Sequence, residues 1–421
     1  MIPLFETGER PERVLLVGIR NTLMPKDEAD SLTRELAGLA ESLGMEIAAR
    51  ETVLIRKKHP QFGMGTGKVR ELAARAASLE ADCLVFDGEL SPSQQRNWEK
   101  LTGISAVDRQ ELIIQIFAGR AKTREAELQA ALAELNYSLP RLQHKYTALS
   151  RQRGGRYGSK GSGEAKLETD RRLVEQRIHR LKEELAGVRR NRAVRRKKRE
   201  KTLPSCALVG YTNAGKSSLL NALTGAGVPA EDRLFATLDA VTRRLEPAGG
   251  RPFLVTDTVG FIRRLPHTLV DAFRSTLEEV TLADLLVHVL DVSDPDADRY
   301  QEAVMGVLRE LGADRIPMIT VLNKKDRLSP EDLAALERRF PGGIPVSAAE
   351  GSGLDRLVRR MERMLPGGSV RFSFPPDRYD LAALLHRDGT VLSERYAEEA
   401  ITIEARVDAK TLGQLKAFRD G

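Results

Sequence analysis

The chain has few cysteines, few aromatics and few histidines, and each shortage excludes something. Only two cysteines, Cys83 and Cys206, occur in 421 residues. Both lie in apolar, strand-like runs, so a disulfide framework is excluded and buried thiols in a reducing cytoplasm are expected. The six histidines are scattered without ligand spacing, which argues against a transition-metal centre. Aromatic residues make up 5% of the chain. No apolar run approaches the roughly 18 residues that a membrane-spanning helix needs. The opening Met1-Ile2-Pro3-Leu4-Phe5-Glu6 has neither a basic segment nor a long apolar core, so no secretion signal is read.

Charge is plentiful. Asp, Glu, Lys and Arg make up 30% of residues, and the net charge is +7. Hydrophobic content of 41% suffices for packed cores, and the length suggests about three domains. Changes in pattern divide the chain into segments 1–118, 119–200, 201–367 and 368–421. The first alternates strand and helix patterns. Val14-Leu15-Leu16-Val17 reads as a buried strand, and Leu32, Leu36, Leu39 and Leu43 recur at helical spacing. Further strands are predicted at 46–55, 82–87 and 105–108, with helices near 67–79 and 92–101. Such alternation predicts an α/β domain with a parallel sheet.

The second segment reads as helix. Leu128, Leu132, Leu135, Leu139, Leu142, Tyr146 and Leu149 are spaced alternately by four and three. Val174, Ile178, Leu181, Leu185 and Val188 repeat that spacing. Two short heptad seams pair most simply as an antiparallel hairpin. Pro140 lies inside the first, where a kink is expected. Residues 151–163, between the seams, hold four cations, five glycines and no acid. Arg151, Arg153, Arg156 and Lys160 suit a phosphate backbone, and Tyr157 suits stacking on a base. Residues 189–201 add nine Lys/Arg against the single acid Glu200. Two basic stretches flanking one helix favour contact with RNA or DNA.

The third segment carries the clearest chemistry. Gly210-Tyr211-Thr212-Asn213-Ala214-Gly215-Lys216-Ser217 has the form of a phosphate-binding loop between a strand-like and a helical run. Its glycines let backbone N–H groups close around phosphate oxygens, Lys216 reaches the β- and γ-phosphates, and Ser217 suits Mg2+. Asp257-Thr258-Val259-Gly260 follows at a strand end. Asp257 suits Mg2+ through water, and the Gly260 N–H suits the γ-phosphate. Next come Asn323-Lys324-Lys325-Asp326 and Ser347-Ala348-Ala349. A fixed carboxylate at Asp326 can accept both donors on guanine's edge, which adenine lacks. The Lys324 stem can cover the ring, and the Ala348 N–H can meet O6. GTP and GDP are therefore the expected ligands. Phe235-Ala236-Thr237-Leu238-Asp239 occupies the interval of a mobile switch, with Thr237 as a further Mg2+ ligand and Thr242 as its rival. No catalytic side chain is assigned. Phe261 stands where many GTPases place a glutamine that orients water, so slow turnover and stimulation by a partner are expected. Gly63-Met64-Gly65-Thr66-Gly67-Lys68 fits no complete phosphate-loop pattern and reads as a turn into a helix. The last segment, from Val370-Arg371-Phe372-Ser373-Phe374, looks like a small α+β domain without legible chemistry.

Several runs resemble the HflX family of ribosome-associated GTPases. They are Glu89-Leu90-Ser91-Pro92-Ser93-Gln94-Gln95-Arg96-Asn97, Asp108-Arg109, Ile116-Phe117-Ala118, Arg120-Ala121-Lys122-Thr123-Arg124-Glu125, Tyr137 with Leu139-Pro140-Arg141-Leu142, and Gly163 to Arg172. Ser162 departs from the proline expected in the tip. The resemblance covers about 57–366. It implies binding to the large ribosomal subunit and ribosomal RNA, splitting of stalled ribosomes, and hydrolysis stimulated by the ribosome. It also implies ATP-dependent RNA remodelling by the N-terminal half of some members. Asn213 resembles the asparagine of potassium-stimulated GTPases, which leaves a K+ role and a plain loop role both open. A monomer is expected.

Overall fold

Val14 to Val17 are buried without a break, as expected of a central parallel strand covered on both faces. The structure is a computed structural model. It describes residues 11–152, 160–200, 203–228, 233–248, 250–264, 277–366, 369–397, 399–407 and 409–419, with side chains in the long helices given only up to Arg141 and from Glu168 to Val188 and at Arg190. The chain folds as two compact units. The first takes residues 1–193 together with two short pieces from farther along, 231–239 and 262–275. The second takes 194–230, 240–261 and 276–421.

In the first unit, β1 (Arg13–Asn21), β2 (Glu46–Ile55), β3 (Cys83–Phe86) and β4 (Ser105–Asp108) form a sheet in the order β2-β1-β3-β4. All three pairings are parallel. Helices α1 (Lys26–Ser42), α2 (Thr66–Ser78), α3 (Pro92–Thr102) and α4 (Arg109–Arg120) connect and follow the strands. Leu32, Leu36 and Leu39 of α1 are buried, as their spacing predicted. Ser91 and Gln94 close a capping box at the start of α3, so two orphan N–H groups are satisfied at once.

The hairpin follows as α5 (Arg124–Gln152) and α6 (Lys160–Glu200). The two seams meet: Leu128, Leu132, Ile178, Leu181 and Leu185 form one buried cluster, flanked by Leu135, Leu139, Val174 and Val188. Arg124, at the start of α5, pairs with Glu184 late in α6 at 2.6 Å, so the helices run antiparallel. Helix α5 continues through Pro140. A polar knot ties it to the sheet. The Tyr137 hydroxyl lies 2.9 Å from Glu111 Oε2 and 3.2 Å from Asp108 Oδ1. Arg141 donates to Gln95 Oε1 at 2.8 Å and to the Leu90 carbonyl at 2.9 Å. Burial pushes the Glu111 carboxyl up to about 7, with the Tyr137 bond pulling it back.

In the second unit, β5 (Ser205–Gly210), β6 (Val241–Leu245), β7 (Phe253–Asp257), β8 (Leu285–Asp291), β9 (Met318–Asn323) and β10 (Ile344–Pro345) form a sheet in the order β10-β9-β8-β5-β7-β6. Only β6 runs antiparallel, against β7. Helix α7 (Lys216–Thr224) leaves the end of β5 through the phosphate loop. Strands β11 (Ser369–Phe374), β12 (Gly389–Tyr396) and β13 (Ile401–Val407) make a separate antiparallel sheet in the order β11-β13-β12. Phe372, Phe374, Leu385, Ile401, Ile403 and Leu415 pack in its own core. The architecture is α/β and multidomain: an N-terminal α/β domain, a helical hairpin, a Ras-like P-loop GTPase domain and a small C-terminal α+β domain. Among the described residues no helix is long and apolar enough to cross a membrane.

Candidate functional site

Strand β5 ends in a loop that only glycine permits at two points. A Cβ on Gly210 would stand 2.3 Å from the Val289 carbonyl oxygen. Gly215 has φ +90°, and a Cβ there would stand 2.3 Å from Asn323 Nδ2. Asn213 also takes a left-handed conformation, φ +60°, which asparagine tolerates better than most residues. The loop leads into α7, whose first-turn N–H groups have no acceptor within the helix itself, the arrangement that suits a helix N-terminus to an anion.

Lys216 is buried, and its ammonium donates to the Tyr211 carbonyl at 2.8 Å and the Gly210 carbonyl at 3.3 Å. Burial lowers its pKa to about 8, while Asp257 pulls it upward. A desolvated ammonium gains strongly from an anion brought beside it. Ser217 Oγ donates to Asp257 Oδ2 at 2.6 Å, so these two candidate Mg2+ ligands converge. Thr258 donates to the Leu208 carbonyl at 2.6 Å and locks the next turn. Val259 is buried. A Cβ on Gly260 would lie 2.8 Å from Thr212 Cα and 3.0 Å from Lys216 Nζ, which keeps that backbone close to the loop.

Mg2+ favours hard oxygen donors and keeps waters or phosphates among its ligands. Among the described residues there is no group of three or more His, Cys, Asp or Glu fit to hold a metal. The convergent hydroxyl and carboxylate therefore suit Mg2+ held jointly with a nucleotide.

Asn323 ties the parts together. Its Nδ2 donates to the Ala214 carbonyl at 2.9 Å, and its Oδ1 accepts from the Ala348 N–H at 3.1 Å. The N–H that sequence reasoning assigned to guanine O6 is thus engaged with Asn323 here. Ser347 is buried and its Oγ accepts from Glu350 N, while Ala349 is exposed. Lys324 has φ +62° and its ammonium pairs with Asp291 at 2.6 Å. Asp326 is exposed in a short helical turn, Lys325–Arg327. Tyr211 stacks on Tyr300, with ring centroids 4.0 Å apart.

Phe261 is buried, and its backbone bonds to the loop. Its N–H donates to the Gly210 carbonyl at 3.0 Å, and its carbonyl accepts from Thr212 N at 2.8 Å. The switch candidates belong to the first unit. Phe235 is buried edge-on against Phe117, with centroids 4.7 Å apart, and Leu238 is buried nearby in sequence. Ala236 and Thr237 are half-buried. The Asp239 carboxylate accepts from the backbone N–H groups of Lys122 and Thr123, each at 3.2 Å. Thr242, the rival to Thr237, instead shares a hydrogen bond with Thr256 across β6 and β7. Arg153, Arg156 and Tyr157 lie outside the described residues, as do the side chains of Arg151 and Lys160.

Two residues of the second unit escaped sequence reasoning. Asp291 ends β8 and holds Lys324; it belongs to no contiguous motif. His288 sits opposite Val209 in the sheet and is fully buried. Burial, with Lys216 nearby, lowers its pKa to about 4, so it is neutral at physiological pH. Its place in a solidly apolar run was the available signal.

Residues 30–118 match the family described as GTP-binding GTPase N-terminal, 120–199 the GTP-binding GTPase middle region, and 205–324 the 50S ribosome-binding GTPase family. The chain is 46% identical over 433 residues to the GTPase HflX of Akkermansia muciniphila, covering 99% of each. It is 38% identical over 410 residues to the GTPase HflX of Escherichia coli, covering 96% of this chain and 95% of the other. Among solved structures, a GTP-binding protein from Sulfolobus solfataricus in complex with GDP is similar at 24% identity and a TM-score of 0.44. That likeness covers 84% of this chain and 98% of the other.

Proposed function

We propose, from the premise that this chain belongs to the HflX family of GTPases, that it is a cytoplasmic, monomeric factor that binds the large ribosomal subunit and splits or rescues stalled ribosomes. It is a hydrolase acting on GTP. The observation that carries the ribosomal reading is the hairpin joined to that GTPase. Its buried apolar cluster draws on Leu128–Leu139 and Val174–Val188. The stretches beyond, 151–163 and 189–201, are basic. Such an arm suits ribosomal RNA, with Arg151, Arg153, Arg156, Tyr157 and Lys160 at the contact.

The nucleotide is held by the loop 210–217, by Asp257 to Gly260, by Asn323, Lys324 and Asp326, and by Ser347 to Ala349. Residues 235–239 act as the switch, with Thr237 and Ser217 on Mg2+ and Asp257 reaching it through water. Asn213 suits K+, and comparing turnover in potassium and sodium tests that. With a phenyl ring at Phe261, the chain places no water-orienting amide at that position, so unaided turnover is slow and the ribosome raises it.

The test uses intact ribosomes with GTP or a non-hydrolysable analogue. Dissociation into subunits supports splitting. Retention on the large subunit without dissociation favours a role in assembly or silencing.

A cavity favours a second reading, ATP-dependent RNA remodelling by the N-terminal half. About 440 Å3 of space opens where β1, β2 and β3 end, lined by Ile55, Arg56, Lys58, Phe62, Phe86 and Gln94 among others. It lies at the point where strand order reverses, between β1 and β3, where open α/β sheets bind ligands. Deleting residues 1–200 should abolish any ATPase while GTPase survives. An ATPase that persists in the deleted form would exclude it.

A further inference from the structure

Five charged side chains gather inside the first unit, three of them from its α/β domain and two from the segment that follows Gly260-Phe261-Ile262. Glu35 on α1, Asp87 after β3 and Arg109 at the start of α4 are all buried. Arg109 pairs with Glu35 and, at 2.8 Å, with Asp87. Arg263 Nε lies 3.2 Å from Glu35 Oε2, and its Nη2 donates to Ser31 Oγ at 2.7 Å. The Arg263 carbonyl accepts from Arg109 at 3.0 Å. Arg264 donates to Asp87 Oδ2 at 3.0 Å and to the Asp87 carbonyl at 3.2 Å. Each carboxylate is therefore shared by two guanidiniums.

Buried carboxylates of this kind hold their partners firmly, because separating one member leaves a charge in low dielectric. Geometry reinforces the hold. Arg264 takes φ +53°, a conformation that side chains other than glycine seldom adopt and that persists where surroundings enforce it. The chain between this cluster and the nucleotide site is short. Phe261 is pinned to Gly210 and Thr212 by two backbone bonds. Ile262 is buried, and Arg263 follows at once. Gly260, whose N–H suits the γ-phosphate, is three residues from the first ionic anchor.

We infer that Glu35, Asp87 and Arg109 are positioning residues for GTP: through Arg263 and Arg264 they hold the segment after Gly260 in place, so the ordering that the γ-phosphate requires is already present. The inference rests on the GTPase activity and not on the ribosomal reading. It predicts an effect confined to the γ-phosphate. GDP lacks the γ-phosphate that would meet the Gly260 N–H and should not sense the cluster.

The experiment uses the full-length protein and fluorescent GDP and non-hydrolysable GTP analogues. In R264Q the affinity for the analogue should fall about tenfold relative to GDP, as preorganisation is lost. R264K, which keeps the charge, should retain most of the ratio. D87N should reproduce R264Q, and the double variant should be no worse than either single one. Arg264 is 37% exposed, so its replacement leaves a folded protein even where E35Q or D87N does not. Thermal melting is followed in parallel. An analogue-to-GDP ratio unchanged in R264Q, whatever the melting temperature does, overturns the inference.

Discussion

The molecule contains one parallel and one mostly parallel sheet, and beside each a loop with glycines and a lysine leads into a helix. In the second unit, a Cβ on Gly215 would collide with Asn323, and Lys216 is buried against carbonyls. In the first, Gly65 is extended at φ −66°, neither Gly65 nor Gly67 has a neighbour within 4 Å of a Cβ, and half-exposed Lys68 pairs with Glu71 at 2.5 Å. Residues 63–68 form a turn leading into α2. A glycine-lysine pattern becomes a phosphate cradle only where space for side chains is denied and the ammonium is desolvated.

Lys216→Ala should break the comparison most strongly. Losing a charged hydrogen-bond donor to phosphate should weaken GTP about 10- to 100-fold. Lys68→Ala should leave GTP affinity unchanged in the same titration. Asp326→Asn should cost guanine selectivity about tenfold, measured by competition with other nucleoside triphosphates.

Burial disfavours the charged form in both units, and so shifts a base and an acid in opposite directions. Lys216 is depressed, whereas Glu111 is raised from 4.5 to about 7. A carboxyl raised in the folded state binds its proton more tightly there than when unfolded. Its stabilising effect is full below pH 4.5 and is lost as pH rises through about 7. Asp108, Tyr137, Arg141 and Glu99 surround it electrostatically. The thermal midpoint of the first unit should therefore fall as pH goes from 5 to 8, and Glu111→Gln should flatten that slope. The smallest effect sharpens the glycine contrast. Gly67→Ala, inside α2, should stabilise by about 0.5–1 kcal/mol in denaturant unfolding, whereas Gly215→Ala should destabilise and lose nucleotide.

The α/β class, the helical seams and the nucleotide motifs were legible because their signals are local. Leu128 to Leu139 and Val174 to Val188 announce a shared face through spacing alone. Lys216, Ser217 and Asp257 stand in short contiguous motifs at strand ends. The Glu35–Arg263 pair was not legible. Its members lie 228 residues apart, and each looks like an ordinary surface charge in its own helix or loop. Asp291 escaped for the same reason. The sequence pointed to Phe261 for what its ring cannot do; only the structure shows what its backbone does.

Asp239 has a mechanical consequence. Thr123 sits at the foot of α5, accepting from Ala126 N, and its own N–H and hydroxyl are both given to the Asp239 carboxylate. Helix α5 has 29 residues, roughly 44 Å at 1.5 Å per residue. It is thus a lever whose fulcrum lies two residues from Thr237. A tilt of about 5° at that foot would sweep the far end through about 4 Å, and the bonds of Tyr137 and Arg141 partway along the helix are the brake that such a movement has to release.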